Sequence, residues 1–389
     1  MANIMDYLDW RGDIPLSVSP FNEVDNLILA ELSFLDMTGI VKAPGQRHRG
    51  VGLPEAAQRY LDGRSPDTMD MGVLVPGQIP KLLEKAAASR RFGAMKFNYY
   101  TNIIDYSKQE QFAAVTIEVG DGSVYISFRG TDDTLVGWKE DFNLSFLQTI
   151  PSQQDALIYL KQVAMHYPVE HLRVGGHSKG GNLSVYSAVH CPEWLQRRIL
   201  QVYNNDGPGF SQEILSTKEH QRISDRILTI VPQSSVVGML LEHEEKYQVV
   251  QSSETGLYQH DGFSWQVLGT QFVHLEEISR EGRFNDKALR AWVKGMDLPQ
   301  REAFAEALYE VLTTNDAKTL KDLQEDGLKA MLSMLKTIKN LDKGTRDLLI
   351  ETLKQLFFHG ARIFGEDLRE DLREGERRKR LSGKTEQEK

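Results

Sequence analysis

A short glycine-rich segment constrains the fold of this 389-residue chain more than any other feature of its sequence. Residues 172–175 (LRVG) are typical of a buried strand, and residues 182–189 (NLSVYSAV) are typical of a helix. Between them, Gly176, Ser178 and Gly180 satisfy the pattern G-x-S-x-G. A serine at the tip of such a turn needs a strained backbone and neighbours without side chains, and the turn lifts its hydroxyl above the sheet edge. The pattern therefore predicts a nucleophilic serine, and the alternative is a glycine-rich turn with an inert serine.

The predicted secondary structure differs between the parts of the chain. Strand-like runs rich in aromatic and β-branched residues alternate with helical runs in the middle of the chain, which predicts a mostly parallel sheet flanked by helices. We expect an α/β-hydrolase fold with a helical C-terminal appendage that packs on the core or on itself, or else docks a partner or contacts a membrane surface. The predicted regions are an N-terminal helical region (1–95), the α/β core (96–285), the C-terminal helical appendage (286–364) and a charged, flexible tail (365–389).

Two late segments look strand-like within the predicted core. Residues 247–252 and 263–268 are expected to pair with each other as a hairpin. Earlier, Asp121-Gly122 separates two strand-like runs and predicts a tight hairpin turn there.

Composition limits the compartment and the partners. The net charge of −9 disfavours nucleic acid as the main partner, because phosphate binding needs a concentrated basic face. The single cysteine, Cys191, excludes an intrachain disulfide. No apolar run approaches the roughly 18 residues of a membrane span, and the N-terminal residues do not resemble a signal peptide. We therefore expect a cytoplasmic protein without a transmembrane segment, for which transient contact with a membrane surface is compatible with the sequence.

A second segment, residues 124–131 (VYISFRGT), predicts part of the same site. Acyl transfer needs two hydrogen-bond donors for the oxyanion of the tetrahedral intermediate. One is expected from the backbone N–H of Lys179, which follows the serine, and the other from the loop after an early strand. Thr131 occupies that place, directly after Gly130, and offers both an N–H and a hydroxyl.

These two segments carry a resemblance. FRGTDDTLVGWKEDF (128–142) together with GGHSKGGNLSVYSA (175–188) resembles the class 3, triacylglycerol-type lipases. In that group an F-R-G-S/T segment followed by W-x-x-D supplies the oxyanion hole, and G-H-S-x-G-G supplies the nucleophile. Over roughly residues 1–295 the chain is more similar to a bacterial family of unknown function, often labelled Mbeg-like, within the α/β-hydrolases. The resemblance implies that Trp138 and Asp141 pin the oxyanion loop to the core, or alternatively contact a lid or an acyl pocket.

A catalytic base must follow the nucleophile, because the order of the triad in this fold is serine, acid, histidine. His260 lies in YQHDG (258–262), a turn after the last strand-like run, where a catalytic histidine belongs. His260 is the favoured base, and His243 is the alternative. An ordinary surface turn is the other interpretation of His260.

The acid is predicted from the strand that follows the nucleophile helix. Asp206 ends that strand, and the Gly-Pro pair after it forces a turn that leaves the carboxylate at the same sheet edge. Class 3 lipases place the acid after the next strand, but residues 231–238 contain no carboxylate here. Asp206 is therefore favoured, with Glu242 and Asp261 as alternatives and a simple turn-forming aspartate as the remaining interpretation.

Taken together, these residues predict a lipase-like serine hydrolase that cleaves a carboxylic ester, acyl-lipid or small-molecule, through Ser178, Asp206 and His260. No cofactor is predicted, and neither H-E-x-x-H nor a Cys/His cluster indicates a metal. The alternatives are an inactive hydrolase fold that serves as a binding or scaffold module, and a thioesterase, peptidase or acyltransferase that uses the same triad.

Overall fold

The computed structural model of the chain describes residues 2–45, 49–73, 75–235, 237–238, 247–280, 282–283, 295–313, 316–341 and 343–347. The alternative base His243, the alternative acid Glu242, residues 348–364 of the predicted C-terminal appendage and the charged tail lie outside these residues. The described helices are α1 (Ile4–Arg11), α2 (Glu23–Leu32), α3 (Leu53–Leu61), α4 (Ile79–Ala88), α5 (Leu135–Asn143), α6 (Pro151–His166), α7 (Lys179–His190), α8 (Glu193–Gln196), α9 (Gln212–Leu215), α10 (Lys218–Gln221), α11 (Leu298–Leu312) and α12 (Leu320–Asn340).

A mixed nine-stranded sheet forms the centre of the molecule. Its order is β1-β2-β3-β4-β5-β6-β7-β8-β11, with parallel pairing from β4 to β8 and antiparallel pairing at both edges. Helices cover both faces, and the predicted α/β-hydrolase fold is confirmed. The strands are β1 (Val51–Gly52), β2 (Lys96–Asp105), β3 (Glu110–Glu118), β4 (Ser123–Phe128), β5 (His171–His177), β6 (Ile199–Asn205), β7 (Ile227–Pro232), β8 (Tyr247–Val250), β9 (Val267–Leu268), β10 (Gln271–Phe272) and β11 (His274–Leu275).

The turn between β3 and β4 is the tight hairpin that the sequence predicts. Gly120 and Gly122 both have positive φ, at 89° and 85°, which suits residues without a Cβ. Between them, the Asp121 carboxylate accepts the Ser123 backbone N–H at 3.0 Å. This Asx turn reverses the chain so that the two strands pair antiparallel.

The sheet divides the core into two apolar layers. Side chains alternate along β4, so Tyr125 faces one layer while Val124 and Ile126 face the other. The first layer is formed with the N-terminal helices α1–α4, and the second with α6 and α7. Because each strand is buried on both faces, β3 and β4 are apolar along most of their length.

Helix α2 lies against the sheet beside the strand ends that carry the candidate site. An Asn22 capping box starts this helix, and Asp25 at its third position forms a fully buried ion pair with Arg91. The next residue, Asn26, donates to the Asn205 side chain at 2.8 Å and accepts from the Tyr125 hydroxyl at 2.7 Å. Polar contacts of this kind fix the helix in one register on the sheet, since each buried amide needs its partner.

The predicted late hairpin between residues 247–252 and 263–268 is wrong. Strand β8 pairs parallel with β7 and antiparallel with β11, while β9 pairs with β10. Between the two segments the backbone forms an isolated antiparallel bridge at Ser252–Trp265, with Gln266 N–H donating to the Gln251 carbonyl at 2.8 Å, and no strand ladder extends from it. The reason is the fully buried Trp265, which draws its segment into the core, where its indole N–H donates to the Gln259 carbonyl at 2.9 Å.

Helices α11 and α12 pack on the segment around α5. Phe304 of α11 meets Phe142 edge-on, and the buried Lys139 ammonium lies 2.6 Å from a Glu306 carboxylate oxygen. The Asp133 carboxylate accepts backbone N–H groups of Val73 at 3.0 Å and Lys321 at 3.1 Å. Its carbonyl accepts the Leu320 N–H at 3.0 Å, so the loop after β4 is attached to the start of α12. No helix within the described ranges has the length and apolar character needed to cross a bilayer.

Candidate active site

The turn between β5 and α7 has the geometry that the glycine pattern predicts. Ser178 has φ 58° and ψ −131°, a backbone conformation that costs energy for a residue with a side chain. A Cβ added to Gly176 would lie 2.4 Å from both the Phe128 carbonyl oxygen and the Gly180 backbone. One added to Gly180 would lie 2.1 Å from the same Phe128 oxygen. Both positions therefore exclude every side chain, and the partly exposed serine stands at the tip of the turn.

Neighbouring strands hold this turn at the carboxyl edge of the sheet. The Ser178 N–H donates to the Asn205 carbonyl at 2.9 Å, and the Asn205 side-chain amide donates to the Gly176 carbonyl at 2.9 Å. Gly130, two residues after β4, lies close to the serine turn. A Cβ added to Gly130 would lie 3.2 Å from the Ser178 Cβ. The loop that contains Thr131 and the serine turn thus meet directly.

Asp206 lies where the sequence predicts an acid, immediately after β6. Its N–H donates to the Ile230 carbonyl at 2.8 Å, and its φ of 50° is a left-handed value that aspartate tolerates better than most residues. The side chain is fully buried. One carboxylate oxygen accepts the Ser235 hydroxyl at 2.5 Å, and the other lies 2.7 Å from Nδ1 of His260. The fold therefore brings the predicted acid and the favoured base into contact.

His260 ends a short 3₁₀ segment, Gly256–His260, and about a quarter of its side chain is exposed. The carbonyl of the preceding residue, Gln259, accepts the Trp265 indole N–H, and the Gln259 side chain accepts the Ser234 N–H at 2.9 Å. The His260 carbonyl accepts from Nε2 of His177 at 2.7 Å. Contacts on both sides thus hold the histidine loop, and the Nδ1 contact with Asp206 leaves Nε2 as the ring nitrogen for another partner.

The loop after β4 is fixed by a buried carboxyl. The Thr131 hydroxyl donates to Asp141 at 2.5 Å. Burial raises the pKa of the Asp141 carboxyl to about 6, although the Lys179 charge and the Thr131 hydrogen bond act in the opposite direction. Trp138 is partly buried, and its indole N–H has no hydrogen-bond partner in the described part of the chain. Its proposed pinning role stays a prediction.

The Lys179 side chain is anchored beneath the serine turn. The side chain is almost completely buried, and its ammonium donates three hydrogen bonds of 2.8 Å, to the Gln111 carbonyl, the Gln111 side chain and the Glu140 carboxylate. Glu140 also accepts the backbone N–H groups of Gln111 at 3.1 Å and Ser152 at 3.0 Å. As the first residue of α7, Lys179 has a backbone N–H with no acceptor inside the helix. The anchor fixes the position of that N–H.

The sequence interpretation did not identify five residues that build this site. His177 and Glu140 lie within the two quoted motifs and the other three lie outside them, but all five act through contacts between distant parts of the chain, which no motif records. Only the charged character of a residue within a motif, as in Glu140 next to Asp141, gives any signal. The five are Glu31, Gln111, Glu140, His177 and Ser235. Within the described ranges, no group of three or more His, Cys, Asp and Glu side chains is placed to hold a metal ion.

Comparison with solved structures finds lipases of low similarity. The Rhizomucor miehei lipase propeptide complex is 16% identical with a TM-score of 0.31, and the match covers 40% of this chain and 57% of that one. The Rhizopus microsporus var. chinensis lipase is 11% identical with a TM-score of 0.35, covering 59% and 73%. A mutant form of MDLA from Penicillium cyclopium is 13% identical with a TM-score of 0.37, covering 66% and 86%. Similarity at this level assigns no residue role and no activity to this chain.

The chain matches no curated protein. A sequence profile described as Mbeg1-like, however, matches residues 86–310, which is more than half of the chain. The matched region contains the whole candidate site apart from α2. The chain therefore belongs to the Mbeg1-like family.

Proposed function

We propose that this protein is a serine hydrolase that cleaves carboxylic esters, with acyl lipids as the substrate class. Ser178 is the nucleophile, His260 the general base and Asp206 the acid that orients the base. The observation that carries the proposal is the 2.7 Å contact between Nδ1 of His260 and a fully buried Asp206 carboxylate. This contact lies at the same sheet edge as a serine held in a strained turn.

The reaction follows from the roles of these groups. Ser178 Oγ attacks the ester carbonyl while Nε2 of His260 takes the hydroxyl proton, and Asp206 stabilises the imidazolium that forms. The carbonyl π electrons move to oxygen, and the backbone N–H groups of Thr131 and Lys179 donate to that oxyanion. Collapse of the intermediate breaks the ester C–O bond, and the leaving alcohol takes the proton from His260. Water then attacks the acyl-enzyme by the same route and releases the acid.

Labelling with a fluorophosphonate tests the nucleophile directly, because the probe phosphonylates an activated serine. We expect the wild-type protein to form one adduct, located on Ser178 by mass spectrometry, and Ser178→Ala to form none. Ser216→Ala is the matched control, since Ser216 is exposed and far along the chain from the turn, and it should label at the wild-type rate. Absence of labelling in folded wild-type protein would favour the inactive scaffold.

The base is tested by a pair of histidine variants. We expect His260→Gln to reduce the labelling rate by at least about 100-fold, in line with the usual contribution of a general base. His243→Gln should leave the rate within about twofold. The opposite result would make His243 the base and leave His260 as a surface turn residue.

The leaving group defines the substrate class. p-Nitrophenyl esters of increasing acyl length, a thioester and an anilide should be compared at equal concentration. We expect esters to be preferred and kcat/KM to rise with acyl length, whereas preference for the thioester or the anilide would favour the thioesterase or peptidase alternatives.

A cytoplasmic location is part of the proposal, and fractionation of cells that express the native chain tests it.

A further inference from the structure

A second acid–imidazole pair, Glu31 and His177, lies behind the proposed catalytic histidine, and the mechanism above does not use it. Glu31 belongs to the last turn of α2 and is fully buried. Neither of its carboxyl oxygens has a hydrogen-bond partner among the described residues. Leaving a buried polar group unpaired costs free energy, so a carboxyl in this position requires an explanation.

His177 connects this carboxyl to the loop of His260. Nε2 of His177 lies 2.7 Å from the His260 carbonyl oxygen, and Nδ1 lies 3.8 Å from Glu31 Oε1. A carbonyl can only accept, so Nε2 carries the hydrogen and Nδ1 of the neutral ring is an acceptor. A protonated carboxyl is the donor complementary to Nδ1, and a shift of roughly 0.7 Å would bring the two atoms to hydrogen-bond distance.

The surroundings favour neutral forms of both groups. Burial raises the pKa of the Glu31 carboxyl well above its usual range, and the nearby Asp261 charge adds to the effect. Burial also lowers the pKa of the His177 imidazole well below its usual range; the His260 side chain acts in the same direction, and the hydrogen bond to the His260 carbonyl acts in the opposite one. The rings of Phe34 and Trp265 lie 6.3 Å from that of His177, which keeps the surroundings largely apolar.

The Glu31 and His177 side chains also pack closely against the loop that contains His260. The rings of His177 and His260 lie 4.5 Å apart, centroid to centroid. A Cβ added to Gly262, two residues after His260, would lie 2.7 Å from Glu31 Oε1. The loop is therefore seated against the carboxyl on one side and hydrogen-bonded to the imidazole on the other.

From these contacts we propose that Glu31 and His177 form a neutral hydrogen-bonded pair that positions the backbone of His260, and with it the imidazole proposed above as the base for Ser178. The inference rests on the proposed function, because it gives the pair a positioning role in that reaction. Two separate contacts hold His260, one at its ring and one at its backbone carbonyl. Asp206 holds the ring, and the Glu31–His177 pair holds the peptide from which the ring projects.

Two variants of Glu31 test the proposal. Glu31→Gln keeps the shape and has an amide N–H that can donate to Nδ1, so we expect kcat within about threefold of wild type and an unchanged pH profile of kcat/KM. Glu31→Leu removes the donor, and we expect kcat to fall 10- to 100-fold with KM changed less than threefold, as for a misplaced catalytic group. Glu84→Gln, on the exposed face of α4, is the matched control and should match wild type.

A structural role alone would not produce this pattern. Both Glu31 variants remove a desolvated acid, so each should be at least as resistant to urea at pH 8 as the wild type. Loss of kcat in a Glu31→Leu protein of undiminished stability therefore reports positioning. Wild-type kcat in folded Glu31→Leu would overturn the proposal, and so would equal loss of kcat in Glu31→Gln and Glu31→Leu.

Nitrogen-15 NMR of histidine-labelled protein gives a readout that does not depend on turnover. We expect His177 to be neutral with the hydrogen on Nε2 from pH 5 to 8, and the Nδ1–H proton of His260 to be sharp in wild type and Glu31→Gln but broadened in Glu31→Leu. An imidazolium signal from His177, or a sharp His260 proton in Glu31→Leu, would overturn the proposal. Failure of the proposed function is distinguished by absent fluorophosphonate labelling of Ser178, which leaves these signals measurable.

Discussion

Replacement of Glu140 by glutamine should destabilise the protein far more than the same replacement at an exposed ion pair. The Lys179 ammonium and the Glu140 carboxylate are both almost completely buried and lie 2.8 Å apart. Glu140→Gln preserves the side-chain shape but removes the carboxylate that is hydrogen-bonded to the Lys179 ammonium, so that this buried charge loses its direct ion-pair partner. In wild type, the two carboxylate oxygens of Glu140 accept hydrogen bonds from the Lys179 ammonium and from two backbone N–H groups. The glutamine amide would put an N–H donor where one of these oxygens now accepts.

The magnitude follows from this burial. Removing one partner of a buried ion pair costs about 3–5 kcal/mol, because an uncompensated charge remains in a medium of low polarity. Such a loss is a large part of the roughly 5–15 kcal/mol by which folded proteins are stable. The matched control is Glu193→Gln in the Arg197–Glu193 pair, whose side chains are 74% and 51% exposed. An exposed pair of this kind contributes about 0–1 kcal/mol.

Equilibrium urea unfolding at pH 7.5, followed by fluorescence, measures both variants. We expect a large drop in the unfolding midpoint for Glu140→Gln and almost none for Glu193→Gln, with similar slopes. The double variant Lys179→Met/Glu140→Gln should recover part of the loss, since it removes the stranded charge. If Glu140→Gln costs no more than Glu193→Gln, or if the double variant is less stable than Glu140→Gln, the ion-pair reasoning is refuted.

Three further predictions concern the serine turn, the loop after β4 and the C-terminal helices. Gly180→Ala should abolish fluorophosphonate labelling and cost about 3 kcal/mol, since its Cβ would lie 2.1 Å from a carbonyl oxygen, whereas Gly77→Ala, with no atom within 4 Å of its Cβ, should behave as wild type. Burial raises the pKa of Asp141 to about 6, so the folded state binds the carboxyl proton more tightly than the unfolded state does. The stability that this proton contributes to the folded state is therefore lost as pH rises from about 4 to 6. In wild type, the free energy of unfolding measured with urea should therefore fall by at most about 3 kcal/mol over this pH range, and in Asp141→Asn it should not. An identical pH dependence in wild type and Asp141→Asn would contradict this expectation. Asp133→Ala should speed hydrogen exchange of the two backbone amides that its carboxylate accepts by about 10-fold, and unchanged exchange would show that this carboxylate does not attach α12 to the loop.

Much of the site could be predicted because local chain geometry dictates it. Gly176 and Gly180 are required wherever a strand turns into a helix around an exposed serine, and the clashes that a Cβ would create there match that requirement. Asp206 was predictable because the carboxyl ends of parallel strands share one edge of a sheet, and a Gly-Pro pair ends this strand. His260 could be favoured only from its place in the order of the triad.

The pairing of the late strands was not predictable from local pattern. Residues 247–252 and 263–268 have similar strand-like textures, but the core has room for the Trp265 indole and leaves β8 to pair with β11. Hydrophobic periodicity indicates which residues are buried, but it does not indicate which strand or helix they pack against. The choice depended on a tertiary contact, the indole N–H bonded to Gln259.

The sequence by itself therefore determined the serine turn, the hairpin at Asp121 and the order of strands and helices, because these depend on backbone conformation and on periods of two and 3.6 residues. Only the tertiary structure decided what surrounds the site. Lys179 meets Glu140, Ser235 meets Asp206, and Glu31 lies behind His177 at a separation of 146 residues along the chain. Buried polar groups must find partners wherever the folded chain places them, and no local pattern records a partner that arrives from a distant element.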